Sequence, residues 1–162
     1  MKLENLELRD ATERDFDFLY QVHRETLRPY VRDAEAWDET WQLENFRKYF
    51  TPDNQRILHS SGTDIGSISV DDHGDYLFLE NIALLPAYRG RGIGKMLIEE
   101  TLANASQRGI PVRLNVLKVN PAWKLYRKLG FQTTREDGHR YFMEATPRPP
   151  RAPPRVKSGG PR

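Results

Sequence analysis

The sequence predicts an α/β (α+β) fold, with a mixed central sheet of about six to seven strands flanked by about four helices. The chain has 162 residues, which suits one compact domain rather than two. Stretches with apolar residues at every second position alternate along the chain with stretches of helical spacing. No stretch approaches the roughly 18 consecutive apolar residues of a membrane span, and the first residues are polar, so we expect a soluble, cytoplasmic protein.

The first fifty residues predict one strand followed by two helices. Residues 5–9 alternate like a short strand, and a helical period follows Thr12. Pro29 should end or kink that helix because proline cannot continue the hydrogen-bond ladder. After a connection, residues 40–50 form a second amphipathic stretch, so both helices precede the main part of the sheet.

The rest of the chain predicts a meander, two further strand–helix units and a hairpin. Residues 55–85 have period two, with a polar turn at 71–74, and the last strand of this meander, 76–85, is apolar on both faces and ends before Pro86. A central, covered strand fits that pattern. The remaining expected elements are a glycine-rich turn at 89–94, a helix at 95–107, a strand at 112–117, a short helix at 121–129 and a hairpin around Asp137-Gly138.

Charge divides the chain into a domain, residues 1–146, and a tail, residues 147–162. The tail carries five basic residues, no acidic residue and six of the eleven prolines, so its formal charge is +5, whereas the rest of the chain is at −3. It has too little apolar surface to offset the entropy of ordering, and we expect it to be disordered. A short basic tail without aromatic residues predicts a solubilising extension; binding of nucleic acid through it is the less favoured alternative.

The residue types present exclude several kinds of chemistry. There is no cysteine, which excludes disulfides, cysteine-ligated metals and a protein thiolate or acyl-cysteine intermediate. The four histidines lack the i, i+4 spacing of a helical metal pair, so we expect no metal site. The chemistry should therefore rest on carboxyl, phenol, amide and backbone groups.

Three glycines at alternate positions, Gly90, Gly92 and Gly94, are the sharpest local signal. They stand between a predicted strand and a predicted helix. Glycines let backbone N–H groups point inward there, and the helix dipole favours an anion at the same place. The pattern indicates a site for phosphate or pyrophosphate.

Neither common nucleotide motif fits this loop. A Walker A loop needs glycine five residues before Gly94, where the chain has Arg89, and a hydroxyl residue where it has Met96. A dinucleotide fingerprint would need glycine at Lys95 or at Leu97. The spacing that remains is R-x-x-G-x-G.

Two stretches resemble the GNAT (Gcn5-related N-acetyltransferase) superfamily. The loop Pro86-Ala87-Tyr88-Arg89-Gly90-Arg91-Gly92-Ile93-Gly94 resembles its acyl-CoA pyrophosphate loop. About 30 residues later, Asn120-Pro121-Ala122-Trp123-Lys124-Leu125-Tyr126 with Lys128-Leu129-Gly130-Phe131 is similar to its second signature. The order of elements over residues 4–145 also resembles the GNAT fold.

The resemblance implies that acetyl-CoA is the co-substrate and that no metal takes part. It assigns the pyrophosphate to the loop, the pantetheine arm to main-chain groups of the preceding strand, and a further bond to that arm to an asparagine. The residues implied are Arg89, Gly90, Arg91, Gly92, Ile93, Gly94 and Lys95 for the loop, Ile82, Ala83 and Leu84 for the strand, and Asn120.

Tyr126 and Glu80 are the expected catalytic residues. Tyr126 stands where the family commonly has its general acid, and a phenol can protonate a departing thiolate. Strand periodicity places Glu80 on the same face as Phe78 and Ile82, where a carboxylate is costly unless it is used or paired. Some family members that acetylate polyamines have a glutamate base at this point; a structural ion pair is the alternative for Glu80.

The acceptor is expected to be a primary amine, either a small molecule or a lysine side chain, that attacks acetyl-CoA directly. Asn115 stands where ribosomal-protein N-terminal acetyltransferases have a glutamate base, which weakens an N-terminal acceptor. Tyr30, Trp37 and Tyr141 are the expected substrate-binding residues, with acidic residues between Tyr30 and Trp37. The alternative function is an acyl-CoA-binding module without turnover, and we expect a monomer or a homodimer.

Overall fold

The computed structural model describes residues 5–31 and 36–149, which form one seven-stranded mixed sheet and four α-helices, as the sequence predicts. The strands are β1 (Leu6–Asp10), β2 (Gln55–Ser60), β3 (Thr63–Asp72), β4 (Leu77–Leu84), β5 (Val112–Leu117), β6 (Gln132–Glu136) and β7 (Arg140–Ala145). The helices are α1 (Phe16–Leu27), α2 (Glu39–Tyr49), α3 (Ile93–Gln107) and α4 (Ala122–Lys128). Most of the predicted tail, residues 150–162, lies outside the described residues.

The strands follow the order β1-β2-β3-β4-β5-β7-β6. Every neighbouring pair is antiparallel except β4 and β5, which are parallel. The parallel ladder is short, because it pairs only Leu77–Leu79 with Val112–Leu114. Beyond Leu79 the two central strands are no longer paired, and the sheet opens between them.

A β-bulge at Glu80 corrects the predicted face of this part of β4. Val70 of β3 pairs with Leu79, but Ser69 pairs with Asn81, so Glu80 is an extra residue in β4. Because Ile68 pairs with Ile82, Leu79 and Ile82 share a face. Ile82 therefore lies on the face opposite Phe78 and Glu80, and not beside them as unbroken alternation predicts.

The two faces of the sheet are covered by different helices. The larger core joins one face of β3, β4, β5 and β7 to α3, and its most buried side chains include Ile68, Leu97, Leu114 and Met143. On the other face, α1 contacts β3 and β4 through a side that buries Leu19 and Val22. Of the described helices, none is long and apolar enough to cross a membrane.

The start of α1 is fixed by local hydrogen bonds. Thr12 and Asp15 form a capping box on the 3-10 turn Glu13–Asp15 that leads directly into α1, and Arg9 of β1 binds the carboxylate of Asp15 at 2.8 and 3.0 Å. Arg9 also contacts Asp64 of β3 at 3.0 Å. α2 then packs on α1 through aromatic rings, with Phe46 5.5 Å from Phe16 between centroids.

The described chain continues to Pro149, three residues past the predicted end of the domain. Arg148 donates from its backbone N–H to Ser106 of α3 at 3.1 Å and from its guanidinium to the Leu129 carbonyl, just after α4, at 2.8 Å. The beginning of the predicted tail therefore contacts the domain.

Candidate active site

The glycine-rich turn between β4 and α3 has the backbone expected of an anion site. Gly90 and Gly92 have φ angles of +72° and +80°, values that favour glycine, and Gly92 is the N-cap of α3. The first N–H groups of a helix have no partner within it, so those at the start of α3 are available to a ligand.

Arg89 fixes this turn to neighbouring elements instead of reaching outward. Its Nε donates to the Leu84 carbonyl at 2.9 Å, and its Nη2 donates to the Glu25 carbonyl of α1 at 3.3 Å. Arg91 lies on the outside of the turn, with its guanidinium 5.6 Å from the centroid of the Tyr88 ring. Lys95, in the first turn of α3, is exposed.

A cavity of about 720 Å³ runs from this turn along β4 to α4, and we call it the loop cavity. Ten of the eleven residues predicted to bind acetyl-CoA line it; Arg91 does not. Apolar surface from β4 and α4 forms much of its remaining wall. Its lining includes Ile82, Ala83, Leu84, Arg89, Gly90, Gly92, Ile93, Gly94, Lys95 and Asn120, together with Thr26, Pro29, Tyr30, Pro121, Ala122 and Leu125.

Asn120 is held by contacts on both sides of the loop cavity. Its Oδ1 accepts hydrogen bonds from the Tyr30 hydroxyl at 3.3 Å and from the Ala122 backbone N–H at 2.9 Å. The carboxamide NH₂ is therefore the group that remains to donate into the cavity. Tyr30, which the sequence predicts to bind the acceptor, lines the loop cavity, where the sequence predicts that acetyl-CoA binds.

A second cavity, the inner cavity, occupies about 450 Å³ where β4 and β5 separate. It shares Thr26, Ile82, Ala83 and Asn120 with the loop cavity, so the two are adjoining parts of one cleft. Both predicted catalytic residues line it. The other lining residues are His23, Leu27, Phe78, Leu79, Asn81, Leu114, Asn115, Val116, Leu117 and Arg140.

Tyr126 comes to the inner cavity from α4. Its ring packs edge-on against Phe131, with 5.7 Å between centroids, and burial raises the pKa of the phenol above its ordinary value. A phenol with a raised pKa keeps its proton throughout the neutral range. The side chain can therefore donate a hydrogen bond or a proton into the cavity.

Glu80 is more exposed than its apolar sequence surroundings indicate. The bulge turns the side chain out of the β3–β4 ladder, and the Ser69 hydroxyl donates to its Oε2 at 3.2 Å. Among the described residues, no basic side chain forms an ion pair with it. This geometry gives no support to a structural ion pair.

Two of the predicted substrate-binding residues lie outside both cavities. The Trp37 indole donates to Glu39 at 2.6 Å, and the Tyr141 ring packs against Trp123 with 5.5 Å between centroids. The acidic residues Asp33 and Glu35 lie outside the described residues. Neither Trp37 nor Tyr141 lines the inner cavity.

Sequence reasoning missed two titratable residues of the inner cavity, His23 and Arg140. His23 lies on α1, where burial lowers the pKa of its imidazole, and its ring is 5.0 Å from that of Phe46. Arg140 lies at the start of β7, with five strands between it and His23 in the sequence. No local pattern marks either residue, because the tertiary fold brings them together.

A glycine turn at a helix start, joined to a cleft between diverging strands, is the geometry of a site for a ligand that carries phosphate. The model of the GNAT acetyltransferase domain matches residues 52–133. The chain therefore belongs to the GNAT acetyltransferase domain family, as its two motifs predict. Over residues 5–31 and 36–149, no group of three or more histidine or acidic side chains could hold a metal ion.

Individual proteins resemble this chain in sequence or in fold. A ribosomal protein bS18-alanine N-acetyltransferase of Haemophilus influenzae is 40% identical over 58 residues, which are 35% of this chain and 40% of that protein. The PaiA N-acetyltransferase of Thermoplasma acidophilum, solved with coenzyme A, has a TM-score of 0.70 at 24% identity, covering 88% of this chain and 99% of that one. The ribosomal-protein-S18-alanine N-acetyltransferase of Escherichia coli has a TM-score of 0.63 at 20% identity, covering 94% and 99%.

Proposed function

We propose that this protein transfers the acetyl group of acetyl-CoA to a primary amine, on a small molecule or a lysine side chain. The observation that carries the proposal is the junction of the two cavities. The loop cavity has the backbone of a pyrophosphate site, and the inner cavity adjoining it is lined by Tyr126 and Glu80. An activated acyl group and an amine can therefore meet within one cleft.

The co-substrate would lie along the loop cavity. N–H groups at the start of α3 would bind the pyrophosphate, and main-chain groups of Ile82–Leu84 together with the Asn120 NH₂ would bind the arm. β4 is not paired with β5 beyond Leu79, so its main chain there is available for such bonds. This placement directs the thioester end toward the inner cavity.

The reaction would remove two protons from the acceptor nitrogen and add one to the sulfur, so that one proton is released overall. An alkylammonium near pKa 10.4 must lose a proton before its nitrogen can attack, and Glu80 would accept that proton, directly or through water. The nitrogen bonds to the thioester carbonyl carbon, the carbon–sulfur bond breaks, and Tyr126 would protonate the departing sulfur, whose thiol has a pKa near 8.5. The nitrogen loses its second proton as the amide forms, and that proton restores the phenol of Tyr126 by way of solvent.

Asn115 distinguishes between classes of acceptor. The relatives from H. influenzae and E. coli are named for the N-terminal alanine of a ribosomal protein. In this chain Asn115, an amide that cannot act as a base, lines the inner cavity at the position where the resemblance implies a glutamate in such enzymes. We therefore propose an acceptor other than a protein N-terminus. A binding module without turnover has no need for Tyr126 and Glu80 on the same cavity.

Tyr126→Phe tests the proposal. Release of free CoA thiol from acetyl-CoA would be measured with amines of several classes; the protein itself contributes no thiol, since it has no cysteine. We expect kcat to fall roughly ten- to a thousand-fold while acetyl-CoA binding is kept, the usual scale for loss of a general acid.

Tyr49→Phe is the matched control, because Tyr49 is 69% exposed on α2 and lies outside both cavities. It should behave like the unmodified protein. Full activity of Tyr126→Phe would show that another group is the acid. Absence of turnover with every amine class, while acetyl-CoA still binds, would favour the binding module.

A further inference from the structure

Arg140 is a charged residue of the inner cavity that the proposed acetyl transfer does not use. It begins β7 and pairs with Leu117 of β5. Side chains alternate along a strand, so Arg140 and Phe142 lie on the face opposite Met143, which is buried against α3. The guanidinium thus stands on the face where the inner cavity opens, and Arg140 is among the residues that line it.

The guanidinium of Arg140 forms no close ion pair among the described residues, although its charge, at longer range, helps to lower the pKa of Asp137. None of the ion pairs they form includes it. The nearby Asp137 is engaged with the hairpin turn, because its Oδ1 accepts the backbone N–H groups of His139 and Arg140 at 2.8 Å each. The guanidinium therefore keeps its hydrogen-bond donors for a ligand at the edge of the cavity.

The charges around the inner cavity are balanced. Glu80 is the acidic residue of its described lining and Arg140 the basic one, while burial lowers the pKa of His23 and favours the neutral imidazole at pH 7. An acceptor with several positive charges would meet only one carboxylate and a fixed cation. An acceptor with one positive and one negative charge would meet an opposite charge at both ends.

We propose that Arg140 binds a carboxylate on the acceptor, which makes the acceptor class an amine that also carries a carboxylate. This inference rests on the proposed acetyl transfer and names the substrate class of that same site. A guanidinium suits the role because it can hold a carboxylate through two parallel hydrogen bonds. Glu80 then receives the ammonium end and Arg140 the acidic end.

The sheet sets the span between these two ends. β5 lies between β4 and β7, and Arg140 pairs with Leu117, about two residues further along β5 than the level of Glu80, so the main chains of Glu80 and Arg140 are at least roughly 12 Å apart. Both side chains line the inner cavity. The distance suits an acceptor whose amine and carboxylate are separated by several bonds, and a series of ω-amino acids of increasing length measures the best separation.

The test compares each ω-amino acid, from glycine to 5-aminopentanoate, with its own amide, which keeps the amine and removes the negative charge. We expect the best acid to exceed its amide at least tenfold in kcat/KM. Arg140→Gln should bring that ratio close to one, mainly through KM. Arg140→Lys should keep part of the preference, because the charge remains and the two-point geometry is lost.

Arg135→Gln is the matched control. It removes the same charge from neighbouring β6, where the Arg135 guanidinium lies over the Phe142 ring at 3.9 Å and does not line the inner cavity. This variant should leave the ratio of kcat/KM between each acid and its amide unchanged. The inference is wrong if the unmodified protein does not prefer the acids, or if Arg140→Gln keeps the preference.

Calorimetric binding of the same compounds to the CoA-saturated protein separates this inference from the proposed function. Binding of an ω-amino acid that Arg140→Gln abolishes, without any acetylation, would support the acidic subsite and contradict acetyl transfer. Acetylation of amines without a carboxylate, at rates that Arg140→Gln does not change, would support the transfer and overturn the subsite. Neither binding nor reaction of any acid would also overturn it.

Discussion

Tyr126 and Glu80 reach the inner cavity in different environments, which suits them to different tasks. Tyr126 is packed against Phe131 and burial raises its pKa, so the phenol keeps its proton well into the alkaline range. Glu80 is exposed and accepts a hydrogen bond from Ser69. The structure thus separates a proton donor from a carboxylate by placing them on α4 and in a bulge of β4.

His23 makes the stability of the protein dependent on pH. Burial lowers the pKa of its imidazole below the ordinary 6.5, so the unfolded chain binds a proton more readily than the folded one. The contribution of the neutral imidazole to stability is complete above about pH 6.5 and is lost as the pH falls toward the folded-state value.

We therefore expect His23→Gln to lose less stability than the unmodified protein between about pH 7 and pH 5. Urea unfolding at the two pH values measures the difference. His139→Gln, at an exposed position in the β6–β7 turn, should keep the original pH dependence. Equal losses in all three proteins would show that His23 does not titrate differently on folding.

At the scale of elements, Gly92 at the N-cap of α3 and Gly94 in its first turn differ in backbone conformation. Gly92 has a φ of +80°, whereas Gly94 lies within the first turn of α3, and a Cβ on either would meet nothing within 4 Å. Backbone conformation alone thus separates the two positions. Substitution by alanine adds the same methyl group at both.

Gly92→Ala should destabilise the protein by about 1–2 kcal/mol, because an L-residue is strained in the left-handed region. Gly94→Ala should be neutral or stabilising by up to about 1 kcal/mol, since alanine favours the helix. Equilibrium unfolding of the two variants gives both values. A loss at Gly94 as large as that at Gly92 would contradict the argument from φ.

The sequence predicts local elements well and interruptions of them poorly. The glycine turn and the stretch from Asn120 to Phe131 are both predicted from residues that are neighbours in the sequence. In the structure the glycine turn and Asn120 line the loop cavity, and Phe131 packs against Tyr126. The bulge at Glu80 depends on how β4 pairs with β3, so alternation along one strand gives the wrong face for Ile82. Arg140 and His23 join the site only through tertiary contacts.

At the scale of the whole molecule, ligand binding should be visible as stability. A ligand that binds only the folded state at one hundred times its Kd adds about 2.7 kcal/mol. For a domain of this size each kcal/mol raises Tm by roughly 2–4 °C, so acetyl-CoA should raise it by about 5–10 °C. Thermal unfolding in the presence of acetyl-CoA measures the shift in Tm, and pantetheine, which lacks the pyrophosphate, is the control.

Pantetheine alone should give a much smaller shift, because it offers nothing to the N–H groups at the start of α3. An equal shift with both compounds would contradict the assignment of the glycine turn. No shift with acetyl-CoA would contradict the loop cavity as its site.

The early end of the β4–β5 ladder gives this sheet a third edge, in its interior. β1 and β6 are the outer edges, and the part of β4 after Leu79 is an inner edge without a neighbouring strand on the β5 side. An exposed edge is normally a liability, because another chain can pair with it. This inner edge faces a cleft that is lined also by residues of β5, α1 and α4, so its backbone groups are less open to pairing with another chain than those of an outer edge.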